Sequence, residues 1–105
     1  MAANNLTDLR REVDELDREL VELVARRFDI TRAIGEIKIR DGLSATHPDR
    51  RAHRAGLLKE LSLRFGLDAG LVQRIYQPIN EEVVDSHRRM GARDLSQDEN
   101  KQWKP

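Results

Sequence analysis

The amino-acid sequence predicts an all-α fold of three helices, with one very long N-terminal helix, assembled as an intertwined antiparallel homodimer. Apolar residues recur at steps of three and four through most of the chain, which is the period of one buried helical face. Charged residues make up 36% of the 105 residues and aromatic residues only 4%, a composition typical of long solvated helices. A glycine stands at each of the points where the helical pattern stops.

The first predicted helix begins near Leu6, with Asn5 or Thr7 as its cap, and ends at Gly42. It has about 35 residues, or roughly 50 Å at 1.5 Å per residue. Two shorter helices cannot cover its apolar stripe, and exposed apolar surface costs roughly 25 cal/mol per Å². We therefore expect two copies to pair antiparallel along this helix. The stripe consists of Leu6, Leu9, Val13, Leu16, Leu20, Leu23, Val24, Phe28, Ala33, Ile34 and Ile37.

The second predicted helix follows the loop GLSATHP. Thr46 or His47 stands at its cap position, and Pro48 lies in its first turn, where a missing N–H is tolerated. The helix is expected to end at Gly66. Its predicted apolar face consists of Ala55, Leu58, Leu61 and Phe65.

The third predicted helix is capped by Asp68 and runs to about Met90, before Gly91. Pro78 lies inside it and is expected to kink it near Arg74. We assign residues 1–91 to one helical domain. Residues 92–105 form a polar C-terminal tail that is expected to fray.

Composition excludes several classes of function. The 19 basic and 19 acidic side chains give a formal net charge of zero, whereas proteins that hold nucleic acid by bulk charge usually carry a basic excess. The chain has no cysteine, which excludes a disulfide framework and a thiolate metal site. It shows no secretory signal and no apolar stretch that spans a bilayer. We expect a cytoplasmic protein with no metal, cofactor, nucleic-acid or membrane partner.

Three cations interrupt the apolar stripe of the first helix: Arg10, Arg27 and Lys38. A single Arg or Lys on a helix is usually solvated. Three cations on one inward face would be very costly to bury without an anion, so they predict an anionic ligand. Arg10 and Arg27 are roughly 25 Å apart along the helix axis. One chain therefore cannot bring both to one small ligand, but an antiparallel partner could place its Arg10 beside Arg27.

The segment TDLRREVDELDRELVELVARRFDITRAIGEIK resembles the first helix of the all-helical chorismate mutases, whose pattern there is close to LRxxIDxLDxxLxxLLxxRxxLxxxIGxxK. HPDRR resembles the DPxRE segment of that family, and GLDAGLVQRIYQPINEEVV resembles its third helix. The likeness runs without a gap from about Leu6 to Arg88. It implies an isomerase of the shikimate pathway and aromatic amino acid biosynthesis, which rearranges chorismate to prephenate without a cofactor.

The resemblance also implies a role for each matching residue. Arg27 and the partner's Arg10 would hold the two carboxylates of a small dicarboxylate substrate. Lys38 would donate to the ether oxygen of the breaking C–O bond. Arg50 would help hold the carboxylate end, and Ile34 would form the wall against the ring.

Four residues depart from the family pattern: His47, Arg51, Val83 and His87. His47 and Arg51 replace the Asp and Glu of DPxRE, which usually meet the ring hydroxyl of the substrate. Val83 replaces a small polar residue. His87 replaces the Gln or Glu that completes the ether-oxygen site beside the lysine. Since histidine can donate a hydrogen bond, His87 is a candidate for that task; the alternative is a solvated residue at a helix end.

Three other functions remain open from the sequence. An isochorismate-pyruvate lyase uses nearly the same pocket, and product analysis distinguishes it. A 4-amino-4-deoxychorismate mutase would bring a protonated amine near Arg51 and His87, where like charges repel. A non-catalytic interaction or regulatory module is the third. Such a module has no reason to keep Arg10, Arg27 and Lys38 on an inward face.

Overall fold

The computed structural model describes residues 5–93 and confirms the three-helix, all-α prediction. Helix α1 spans Leu6–Asp41, α2 spans Pro48–Phe65 and α3 spans Ala69–Met90. The chain divides into two compact units, residues 1–31 and residues 32–105. Most of the predicted tail, residues 94–105, lies outside the described residues. No helix within residues 5–93 combines the length and the apolar character that crossing a membrane requires.

Side-chain caps begin α1 and α3. The Asn5 side-chain oxygen accepts a hydrogen bond from the Asp8 N–H at 2.9 Å, so Asn5 rather than Thr7 caps α1. The carboxylate of Asp68 accepts from the Leu71 N–H at 2.9 Å and caps α3, as predicted. Both contacts satisfy a backbone donor that has no partner within its own helix.

Glycines follow the helices at the predicted positions. Gly42, Gly66 and Gly91 have φ values of 67°, 69° and 117°, a left-handed conformation in which a Cβ atom is unfavourable. At the start of α2, His47 takes the cap position without a side-chain cap, and proline follows it. Helix α3 remains a single helix through Pro78.

The unit of residues 1–31 exposes the apolar stripe of α1. Leu16 is 62% exposed and Leu20 is 59% exposed. Side chains predicted to form a buried face are therefore not buried by their own chain. An exposed apolar row of this length is the mark of an interaction surface. The other large apolar side chains exposed in this unit are Leu6, Leu9, Val13, Val21, Leu23 and Ile30.

The unit of residues 32–105 contains the packed pair α2 and α3 and a small core. Its buried apolar residues, within the described part, are Ala45, Leu58, Val72 and Ala92. The predicted apolar face of α2 is only partly correct. Leu58 is buried, but Phe65 is 65% exposed, and the Arg64 guanidinium lies 5.3 Å from the centroid of its ring.

The segment after α3 packs against the loop between α1 and α2. The Ala45 N–H donates to the Arg93 carbonyl at 2.7 Å, and Arg93 Nε donates to the Gly42 carbonyl at 2.8 Å. Ala92 is buried, and its N–H donates to the His87 carbonyl at 2.9 Å. Residues 92 and 93, the first two of the predicted tail, therefore lie in the packed unit.

Asp68→Ala should lower the free energy of unfolding by about 1 kcal/mol, because the Leu71 N–H loses its acceptor. Urea denaturation at one fixed protein concentration measures the change. Asp68→Asn is the matched control, since its side-chain oxygen can accept the same bond. An alanine variant as stable as the parent would contradict the cap.

Candidate active site

Lys38 provides the central charge of the candidate site. It lies in the last turns of α1 with its side chain half-buried. Its ammonium donates to the Ala45 carbonyl at 3.1 Å and to His87 Nδ1 at 3.0 Å. Burial lowers the pKa of Lys38, and the positive charge of Arg54 on α2 lowers it further. Among residues 5–93 no carboxylate pairs with this ammonium, so its contacts within the chain are neutral acceptors.

His87 lies on α3 and is 1% exposed, which excludes the solvated helix-end alternative. An ammonium has three N–H donors and no acceptor, so the contact with Lys38 makes His87 Nδ1 the acceptor. When Nδ1 accepts from the ammonium, the imidazole is neutral and its ring proton is on Nε2. A histidine that was expected from the sequence to donate a hydrogen bond accepts one at this atom.

Gly35 allows the imidazole to lie directly against the backbone of α1. A Cβ atom at position 35 would be 2.6 Å from Cδ2 and 3.0 Å from Nε2 of His87, and 3.1 Å from Met90 Sδ. Real Cβ atoms essentially never come within 2.6 Å of a neighbour, and distances of 3.0 and 3.1 Å are tighter than most of their contacts. Because Gly35 has no side chain, it leaves the space that the imidazole of His87 occupies.

Ala45 supplies the second acceptor through its main chain. The residue is 1% exposed, and its N–H is bonded to the Arg93 carbonyl. On the other side of the loop, the Leu43 N–H donates to the Lys38 carbonyl at 2.7 Å. These bonds fix the direction of the Ala45 carbonyl that receives the ammonium of Lys38.

A cavity of about 730 Å³ is formed by α2, α3 and the end of the preceding loop. Its volume lies within the range of small-molecule sites, roughly 300–1,000 Å³. Three cations, Arg51, Arg54 and Arg88, and two carboxylates, Glu81 and Asp85, line it. Arg54 links this cavity to Lys38, because its charge acts on the pKa of that lysine. The remaining lining residues are Thr46, Ala55, Leu58, Gln73, Tyr76, Gln77, Asn80 and Val84.

The predicted site residues of this unit occupy three kinds of position. Lys38 and His87 are in direct contact, and Arg51 is on the cavity wall. Arg50 is exposed in the first turn of α2, and Ile34 is 43% exposed on α1. The two further predicted residues, His47 at the start of α2 and Val83 on α3, are half-buried.

The predicted carboxylate clamp involves the other unit. Arg10 and Arg27 both lie within residues 1–31, where Arg10 is exposed and Arg27 is half-buried. Their convergence on one ligand, with Arg10 supplied by a partner chain, remains a prediction.

Two functional groups escaped the sequence analysis. Arg54 had a signal, because it lies four residues after Arg50 and so on the same face of α2. The Ala45 carbonyl had none, because every residue carries a carbonyl and only the path of the loop aims this one at Lys38.

Residues 9–88 match the family model described as chorismate mutase type II. The match extends over all three helices, including Lys38 and His87 of the candidate site. The chain belongs to the chorismate mutase type II family.

Similarity to three named proteins supports the assignment to this family. The chain is 28% identical to the T-protein of Haemophilus influenzae over 93 residues, which cover 89% of this chain and 25% of the T-protein. It is 25% identical over 76 residues to the chorismate mutase of Methanocaldococcus jannaschii, covering 72% of this chain and 77% of that enzyme. It is 37% identical over 68 residues to the 4-amino-4-deoxychorismate mutase of Streptomyces venezuelae, covering 65% and 62%. The chain spans about a quarter of the length of the T-proteins that it matches.

Arg54→Ala should raise the pKa of Lys38, because it removes a nearby positive charge. The pKa should stay below the ordinary value of 10.5, since burial, the larger cause, persists. An NMR titration of the Lys38 Cε resonances measures this shift. Arg64→Ala, which removes an exposed cation from the end of the same helix, should leave the pKa unchanged. Equal pKa values in the parent and the Arg54 variant would contradict the assigned cause.

Proposed function

We propose that this chain catalyses the rearrangement of chorismate to prephenate. The observation that carries the proposal is the half-buried ammonium of Lys38, which has only neutral acceptors from its own chain within residues 5–93. Two of its three N–H groups are used, and the third remains for a ligand. Membership of the chorismate mutase type II family and likeness to the archaeal chorismate mutase support the proposal.

In the proposed reaction the ether C–O bond breaks while a C–C bond forms within one molecule. The step needs neither a nucleophile nor a proton transfer. Negative charge grows on the ether oxygen, and a preorganised N–H of Lys38 can stabilise it without rearrangement of the site. Holding the substrate in its compact conformation supplies the remaining effect. Together these contributions must lower the barrier by at least roughly 8 kcal/mol, the low end for enzymes.

Cations in the unit of residues 32–105 are suited to bind a carboxylate of the substrate. Arg54 lines the cavity and acts electrostatically on Lys38, so an anion near Arg54 would also offset the unfavourable charge felt by the lysine. Arg51 lies on the same cavity wall. We assign Arg54 a substrate-binding role beside the residues proposed from the family likeness, Arg27, Arg50 and the partner's Arg10.

The exposed stripe of α1 supports an antiparallel homodimer. Leu16 and Leu20 are more than half exposed in the single chain, and covering them with a second copy would remove this apolar surface from water. A two-fold axis would create two equivalent sites, each with Arg27 from one chain and Arg10 from its partner.

A second candidate substrate is 4-amino-4-deoxychorismate. The relative from Streptomyces venezuelae, named for this substrate, is 37% identical over 68 residues. Glu81 and Asp85 give the cavity two carboxylates that suit an ammonium group. The repulsion expected from His87 is removed, because its imidazole is neutral where it accepts from Lys38.

Product analysis tests the proposal. The purified protein is incubated separately with chorismate, isochorismate and 4-amino-4-deoxychorismate, and the products are identified by mass spectrometry. Prephenate from chorismate supports the mutase, and the amino analogue of prephenate supports the second candidate. Release of pyruvate from isochorismate would instead identify a lyase. No turnover of any of the three would indicate the interaction module.

Lys38→Met serves as the control in the same assay, since it keeps the length of the side chain without its charge. It should lower kcat by about 10²–10³-fold, the usual effect of losing one donor to a developing oxyanion. Unchanged turnover in this variant would remove Lys38 from the mechanism.

Mixed dimers test the composite site. Arg10→Ala and Arg27→Ala chains should each be nearly inactive, and mixing them should restore activity. In a mixed dimer both substitutions fall in one site, which leaves the other intact. Random mixing of equal amounts should return about a quarter of the parent activity, because half of the dimers are mixed and each has one working site. Mixed dimers that form and stay inactive would contradict the assignment.

A further inference from the structure

We propose that His87 is a positioning residue for Lys38: its Nδ1 lone pair orients the ammonium, and its imidazole does not itself contact the substrate. The inference rests on the proposed function and assigns the division of work within that site. It differs from direct donation to the ether oxygen, which the sequence led us to expect.

The ammonium of Lys38 has three N–H donors, and two of them have acceptors within the chain. The ammonium of Lys38 donates to the Ala45 carbonyl at 3.1 Å and to His87 Nδ1 at 3.0 Å. With two directions fixed, the tetrahedral geometry of the ammonium also fixes the third. Two acceptors hold the ammonium more firmly against rotation about the Cε–Nζ bond than one acceptor would, and so aim the remaining N–H more narrowly.

The imidazole ring of His87 lies against Gly35 of α1. Nε2, which bears the proton, lies on the side of Gly35, where an added Cβ would be 3.0 Å away. The residue is 1% exposed, so its proton-bearing edge is covered. The substrate can meet the ammonium that the ring holds, but the ring itself is enclosed by α1 and α3.

Neighbouring groups also affect the charge of Lys38. The groups that act on Lys38 are the Ala45 carbonyl from the loop, Arg54 from α2 and His87 from α3. Arg54 and burial both disfavour the charged lysine, and the two acceptors favour it. His87 therefore has two effects on Lys38: it orients the ammonium and helps to keep it charged.

Three substitutions at position 87 separate positioning from direct donation. The side-chain oxygen of Asn can take the place of Nδ1, whereas the longer amide of Gln reaches toward the place of Nε2. His87→Leu removes both functions and should lower kcat by about 10²-fold, with little change in KM, because a misplaced group loses that much. His87→Asn should recover most of this loss, and His87→Gln should recover less.

The pH profile provides a readout that a general loss of packing would not produce. In His87→Leu the ammonium of Lys38 has lost an acceptor, so the charged form is less stable. The pKa of Lys38 falls further, and the decline of kcat at alkaline pH moves to lower pH. His87→Asn should return the decline toward its position in the parent.

The tautomer of His87 is measured without any substrate. Nitrogen-15 NMR of the parent protein should show the proton on Nε2 and an unprotonated Nδ1 that accepts a hydrogen bond from Lys38. This measurement needs neither turnover nor a variant that folds. It therefore distinguishes a failure of the inference from a failure of the proposed reaction.

Two results would overturn the inference. One is a proton on Nδ1 in the parent. The other is recovery of kcat by His87→Gln that equals or exceeds recovery by His87→Asn, which would support donation from Nε2 to the substrate. If the Leu variant does not fold, the Asn and Gln variants are compared directly with the parent.

Discussion

The half-buried ammonium of Lys38 is the constraint on which the rest of this unit depends. Taking a cation out of water is costly unless hydrogen-bond acceptors replace the solvent. Here the replacements come from a loop carbonyl and a helix imidazole, at 3.1 and 3.0 Å. Each requires its own support: the loop is held by Arg93, and the imidazole needs the space left by Gly35. The end of α1, the loop, the end of α3 and the two residues after it therefore serve one charge.

The same chain combines this rigid arrangement with a small core. Within residues 32–93, the buried apolar side chains include only two of ordinary core size, Leu58 and Val72. In residues 5–31 most of the large apolar side chains of α1 are exposed, and Val24 and Phe28 are half-buried. Apolar burial is the main stabilising contribution in folding, so most of what this sequence could gain from it lies outside the single chain. In the proposed homodimer, stability and assembly would be coupled.

The sequence predicted those features that depend on local chemistry. Helix ends were placed correctly at Asp68, Gly66 and Gly91, because caps and left-handed turns are decided by neighbours within a few residues. The separate compact units could not be predicted from periodicity, since a continuous helical pattern runs through Thr31. The exposure of Phe65 was missed for a related reason: a helical face shows which residues align, but not how far a neighbouring helix covers them.

In the candidate site, too, the features set by local sequence were predicted and those set by packing between distant segments were not. Lys38 and His87 were identified, because family patterns record side chains at fixed spacing. The direction of the hydrogen bond between them was not, since it follows from the close contact of a ring nitrogen with an ammonium, which can only donate. The contribution of Arg54 depends on distance across helices, and that of residues 92 and 93 depends on a contact with a loop about fifty positions earlier in the chain.

The main-chain origin of one acceptor has a consequence for how this pocket can diversify. A hydrogen-bond acceptor on a side chain can be lost by a single amino-acid substitution. The main-chain carbonyl at position 45 is present whatever the residue, provided that the loop keeps its backbone conformation. The small buried volume at that position limits the size of a replacement and leaves its chemistry free. In the proposed reaction, residues of the cavity wall such as Arg51 and Glu81 could be exchanged to suit a different ring substituent while the Ala45 carbonyl is retained. Under the proposed function, differences in substrate would depend on residues of the cavity wall. The hydrogen bond between Lys38 and the Ala45 carbonyl would be common to all of them.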